Sequence, residues 1–200
     1  MENKLKNMLK DLIPCIEGQY IVADGALLGI TREGGLLKHD EDIDLYILPN
    51  TKINWDKLPN KYKHYKDYLC MKVYDGQDKI PSSNEWLRFI AFKRTMPEYY
   101  GYNRAELCGA IAPNYKREKI NRQYPGVWID VFELVYDEKH DLYRIPQHWN
   151  GKEFYFTPFE CEGTYDNTLG FEIKIPKNHK QVLERIYGSN WIVEDRDYQY

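Results

Sequence analysis

The sequence predicts one α/β-type domain over residues 1–200, a mixed sheet carrying aspartates with helices packed against it. Two apolar runs, Ile43 to Leu48 and Val127 to Tyr136, read as strands, and acids sit at the head of the first and inside the second. Amphipathic segments near both ends of the chain supply helices. No internal repeat or low-complexity linker divides it.

Taken in order, Leu5, Met8, Leu9, Leu12 and Ile13 recur at helical spacing, so the chain opens on an amphipathic helix that stops near Pro14. Gln19 to Ala23 reads as a short strand ending in the Asp24-Gly25 turn. Ala26 to Arg32 reads as a helix beside that turn, and Gly34-Gly35 forms a second glycine turn. Ile43 to Leu48 is a strand closed by Pro49-Asn50. Thr51 to Tyr68, rich in Lys and Tyr and interrupted by Pro59-Asn60, is expected to be loop and irregular helix. Leu69 to Tyr74 and Trp86 to Phe92 are expected strands, Met96 to Pro113 is ambiguous, and Asn114 to Gln123 is a basic run. Val127 to Tyr136 is expected to be one strand, followed by polar, turn-rich chain with short strands at Phe154 to Phe156 and Phe171 to Ile175. Pro176 opens a C-terminal helix over 177–188, with Val182, Leu183 and Ile186 on one side and Gly188 closing it. The acidic tail, Glu194 to Tyr200, is expected to be less ordered.

Composition excludes several classes. A formal net charge of −3 provides no global electrostatic case for stable nucleic-acid binding or for an anionic membrane. The apolar runs are too short to span a bilayer, so membrane insertion is not expected. The N-terminal segment alternates charge with apolar residues and has no continuous apolar core of a secretory signal. The expected location is therefore cytoplasmic, with Cys15, Cys70, Cys108 and Cys161 reduced. Those cysteines form no CxxC pair, which argues against structural zinc. The 18 Tyr, 5 Trp and 7 Phe can stack on sugars or bases but equally fill cores and interfaces, so composition places none of them in a site.

The chemistry concentrates in Asp24 to Leu48. Asp40, Glu41, Asp42 and Asp44 lead directly into the apolar run Leu45-Tyr46-Ile47-Leu48. Side chains alternate along a strand, so Asp42 and Asp44 share a face while Ile43 and Leu45 point to the core. Like charges so close raise one another's pKa unless a cation lies between them, and carboxylate oxygens suit a hard ion such as Mg²⁺. A solvated acidic turn is the plainer alternative. Asp130, flanked by Ile129 and Val131, is costly to bury unless it is paired, protonated or on a metal; alternation could also turn it to water. Glu133, three residues on, falls on the opposite face. The run around Asp130 is too apolar for an edge, so its strand is expected inside the sheet beside the Ile43 to Leu48 strand, with the carboxylate on the Asp42/Asp44 side. Serine, cysteine and histidine chemistry lack local support: Ser82, Ser83 and Ser189 stand in no nucleophile-elbow context, and no HExxH spacing occurs.

Gly25-x-Leu27-Leu28-Gly29-x-x-Arg32, then Asp40-Glu41-Asp42-Ile43-Asp44-Leu45, then Trp128-Ile129-Asp130-Val131-Phe132, together resemble the LicD/fukutin family. So does the closing pattern of Ile175-Pro176, Leu183, Tyr187-Gly188 and Trp191. The family's usual acidic block has a tryptophan before three aspartates; His39 and Glu41 stand at two of those places. The resemblance implies a nucleotidyltransferase (polymerase β-like) fold of α+β type, with its catalytic block at 19–48 and 127–135. It implies a phosphotransferase that moves a phosphorylated alcohol, such as phosphocholine or ribitol phosphate, from a CDP-linked donor to a saccharide or glycan hydroxyl. It further implies Mg²⁺ or Mn²⁺ held by Asp42, Asp44 and Asp130, with Asp130 as third ligand or general base and Asp40 as a fourth acid. Arg32 and Lys38 are then candidate diphosphate contacts, with surface ion pairing as the alternative for each. Gly25 and Gly29 permit close backbone approach to phosphate, or tight packing of helix on strand. Two other functions share these residues: a nucleotidyltransferase moving a nucleoside monophosphate to a small molecule, protein or RNA end, and a non-catalytic binding module.

Overall fold

In the computed structural model of the chain, the residues described are 2–38, 40, 42–66, 71–75, 127–145 and 155–193. The expectations for Trp86 to Phe92, Met96 to Pro113, the basic run Asn114 to Gln123 and the tail Glu194 to Tyr200 lie outside them, as do His39, Glu41, Cys70 and Cys108.

Helix α1 (Glu2–Leu12) buries Leu5, Met8, Leu9 and Leu12, the stripe its spacing predicts. Pro14 ends it in a tighter 3₁₀ turn, Ile13–Cys15. Strand β1 (Ile16–Glu17) leads to β2 (Tyr20–Val22), and α2 (Asp24–Glu33) begins directly after it. Gly34, at φ 71°, ends α2 in the left-handed conformation that an L side chain resists. After the returning loop comes β3 (Asp42–Ile47).

Thr51 to Tyr68 departs from the loop and irregular helix expected of it. It contains β4 (Lys52–Ile53), paired antiparallel with β1, a 3₁₀ turn at Trp55–Lys57, and β5 (Tyr62–Lys66). Alternation hides this strand because β5 is an edge: Tyr62 is buried while Lys63 and His64 are exposed, and lysines are common on edges that must not pair further. His64 stacks on Trp55 with ring centroids 3.9 Å apart.

The main sheet adds β6 (Met71–Asp75) and β7 (Trp128–Glu133), in the order β2-β3-β7-β6-β5. It is mixed: β3 and β7 run parallel, and the other neighbours antiparallel. The apolar β7 lies inside the sheet, between β3 and β6. Ile43, Leu45, Ile129 and Val131 are buried on one face, which α1 covers; Asp42, Asp44, Tyr46 and their β7 neighbours occupy the other, beside α2.

Val127 to Tyr136 is two strands rather than one. Leu134 donates its N–H to the Ile47 carbonyl, prolonging the β3 ladder by one residue, and the chain then leaves for a second sheet. There β8 (Val135–Asp137), β9 (Leu142–Arg144) and β10 (Tyr155–Phe156) pair antiparallel. Apolar residues continue through the corner, so alternation carries no mark of it.

Helix α3 (Pro158–Cys161) starts at a reciprocal cap in which Thr157 and Glu160 satisfy each other's backbone N–H. Strands β11 (Thr164–Asp166) and β12 (Ile173–Ile175) form a hairpin against β2, and α4 (His179–Tyr187) packs on α2. The result is an α+β protein. Among the described residues no helix is long and apolar enough to cross a membrane.

Candidate active site

The parallel register of β3 and β7 builds one face of the sheet in three rungs: Asp42 beside Trp128, Asp44 beside Asp130, and Tyr46 beside Phe132. In-register neighbours on parallel strands present their side chains to the same face, about 4.8 Å apart along the hydrogen-bonding direction. Asp42 and Asp44 are half-buried and Asp130 is 8 % exposed, while Tyr46 and Phe132 are buried. The face therefore grades from carboxylates at its open end to an aromatic floor. Glu133 is exposed, apart from this row.

Helix α2 begins against the same face. The Ala23 N–H donates to the Asp44 carbonyl, tying the start of the helix to the strand. Asp24 has φ 50°, a conformation that aspartate tolerates better than most residues. Its Oδ2 accepts a hydrogen bond from the Tyr46 hydroxyl. Burial pushes Asp24 up to about 6, an effect the Tyr46 hydrogen bond opposes and the charge of Asp42 adds to. Tyr46 is held well above its ordinary value by burial and by Asp24 and Asp44, so it remains a donor. Its ring lies 5.3 Å from that of Phe132 and 5.4 Å from that of Phe156.

The loop after α2 folds back along the helix. A methyl group on Gly25 would meet Asp40 Oδ2 at 3.2 Å, so Asp40 stands against the first helical turn. Burial, then Asp42 and Glu33, push Asp40 up to about 7. Asp40 Oδ2 and Asp24 Oδ1 are buried with no hydrogen-bond partner among the described residues. Charge is thus concentrated where it is most expensive, although the positive end of the α2 dipole offsets part of the cost.

The remaining candidates are dispersed. At Gly29 the close approach is to the protein's own backbone: a Cβ would lie 2.6 Å from the Gly35 carbonyl oxygen and 2.8 Å from the Leu37 nitrogen. Arg32 lies about 10 Å along the helix axis from Gly25. Its guanidinium donates to the Trp191 carbonyl at 3.4 Å and to Glu33 Oε1 at 2.7 Å. Lys38 is exposed in the turn before Asp40.

Two residues of this face, Asp24 and Tyr46, are not marked for chemistry by the sequence pattern. Alternation from Asp42 and Asp44 puts Tyr46 on their face, a signal the apolar run around it masks. Asp24 is legible only as part of a turn; its packing onto Tyr46 is a tertiary fact.

The acidic face suits a hard divalent cation: Asp42, Asp44 and Asp130 supply carboxylate oxygens, the buried, unpartnered Asp24 Oδ1 and Asp40 Oδ2 lie near Asp42, and a cation would relieve the repulsion between Asp42 and those two acids. Among the described residues, no group of three or more His, Cys, Asp or Glu side chains is already gathered to hold a metal ion. The fit thus rests on strand register and donor chemistry alone. No protein-family model matches the chain, and no curated protein matches it.

Proposed function

We propose that this chain is a cytoplasmic, metal-dependent phosphotransferase of the LicD type on a nucleotidyltransferase fold. It would move a phosphorylated alcohol from a CDP-linked donor to a saccharide or glycan hydroxyl. The observation that supports this reading most is the placement of Asp44 and Asp130 in register on adjacent parallel strands, with Asp42 on the same face and the first turn of α2 beside them.

Phosphoryl-type transfer asks a protein for positioning and charge neutralisation more than for covalent chemistry. Asp42, Asp44 and Asp130 would hold Mg²⁺ or Mn²⁺, and Asp40 stands as a fourth acid beside Gly25. When bound, such an ion neutralises diphosphate oxygens and lowers the pKa of an attacking hydroxyl. The first-turn N–H groups of α2 are left over by the helix itself and favour an anion.

The test is a panel of CDP-alcohols with saccharide acceptors, assayed for Mg²⁺-dependent release of CMP. CMP release supports the reading. Pyrophosphate release from a nucleoside triphosphate would replace it with nucleotidyl transfer. Neither product, together with no Mg²⁺ binding, would replace it with a binding module.

A further inference from the structure

From this geometry we infer that Tyr46 is a positioning residue of the carboxylate site: through Asp24 it holds the first turn of α2 at a set distance from Asp42, Asp44 and Asp130. The inference rests on the phosphotransferase reading for its kinetic consequence but on geometry alone for its structural one. Tyr46 lies beyond Asp42 and Asp44 on the same face of β3 and is itself buried, 2 % exposed. Its ring contacts Phe132 on the neighbouring strand and Phe156 on β10, so it has little freedom to turn. Its hydroxyl meets Asp24, the first residue of α2, across the space between helix and sheet. Asp24 adopts positive φ there, a cost the hydrogen bond helps to offset.

The consequence is specific. The residue after Asp24 is Gly25, whose missing side chain lets the Asp40 carboxylate stand against the first turn of α2; a Cβ there would lie 3.2 Å from Asp40 Oδ2. If the helix start moves, the gap between its first-turn N–H groups and the acids moves with it. Displacement on the order of 1 Å in such a site costs transfer rate far more than ground-state binding.

Tyr46→Phe keeps the ring and removes only the hydroxyl. Asp24→Gly removes the carboxylate without backbone strain, since glycine accepts positive φ. Asp24→Asn retains an oxygen for Tyr46. Amide hydrogen exchange of residues 27–30, the first hydrogen-bonded amides of α2, is expected to speed by about 10-fold in Tyr46→Phe and Asp24→Gly, and to stay near wild type in Asp24→Asn. In the CMP-release assay, Tyr46→Phe is expected to lower kcat by about 10- to 100-fold with donor KM changed by less than about threefold. Unchanged exchange in Tyr46→Phe overturns the inference whatever the activity. Faster exchange with unchanged kcat in an active enzyme overturns its functional half. If the wild type itself releases no CMP, the phosphotransferase reading fails, and the exchange comparison still decides the positioning of α2.

Discussion

Asp44 and Asp130 are separated by most of the described sheet's sequence, yet they are direct register partners on parallel strands. Beside them, Asp24 and Asp40 are driven toward protonation by burial and by the charge of Asp42. These relationships make the acidic face a place where charge and stability are linked.

Asp42→Asn or Asp44→Asn is expected to abolish metal-dependent turnover while leaving the circular dichroism spectrum unchanged, because a neutral amide loses the charge that would hold the ion. In metal-free buffer at neutral pH, Asp42→Asn is also expected to melt higher than wild type. One repulsion on both Asp24 and Asp40 disappears with it. A mutant with full activity at saturating Mg²⁺ would remove these residues from the site.

Asp24 and Asp40 both make stability depend on pH, and Asp24 is the one isolated by substitution here. Its folded-state pKa, about 6, lies above the ordinary aspartate value, so the folded state holds its proton more tightly than the unfolded chain. The associated stability is fully present below about pH 4 and is lost as pH rises through about 6, and it amounts to roughly 2–3 kcal/mol. Asp24→Asn never ionises there. The difference in Tm, mutant minus wild type in metal-free buffer, is therefore expected to grow between about pH 4 and about pH 6 and to level off above about pH 7. A flat difference would show that Asp24 does not titrate in that window.

The two glycines of α2 are expected to separate cleanly. Gly29→Ala forces a methyl onto the backbone of Gly35 and Leu37, neither of which can swing aside, and should destabilise by about 1–3 kcal/mol or more in urea melts. Gly25→Ala meets only the end of the Asp40 side chain and should cost below about 1 kcal/mol. Its effect should appear in turnover instead, because the methyl pushes on the Asp40 carboxylate beside the other acids. Reversal of that order would mean the helix sits differently on its loop.

An ion pair between buried Glu160 and half-buried Arg185 fastens the C-terminal elements. Glu160 accepts from Arg185 through both carboxylate oxygens, at 3.0 and 2.9 Å, and Arg185 also donates to the Tyr155 carbonyl. Glu160 in addition closes the Thr157 cap. Glu160→Ala leaves the guanidinium with one partner fewer and breaks the cap, and should cost about 3 kcal/mol in urea melts. A cost below about 1 kcal/mol would mean solvent replaces both interactions.

Much of this molecule is legible in the sequence because its signals are local. The Leu5, Met8, Leu9, Leu12 stripe defines α1 by period alone, and Gly34 and Gly188 mark where α2 and α4 stop because of what their backbones must do. Alternation places Asp42 and Asp44 on one face, and the apolar content of β7 places that strand inside the sheet. Edge strand β5 and the corner at Leu134 are not legible, because an edge tolerates lysine and a corner can be as apolar as the strands it joins. Nor can the sequence decide which face of α2 meets Tyr46, that Gly29 packs on its own returning loop, or that Arg32 reaches Trp191. Those are contacts between segments distant in the chain. Periodicity reports which side of an element is apolar; only packing decides which partner it meets.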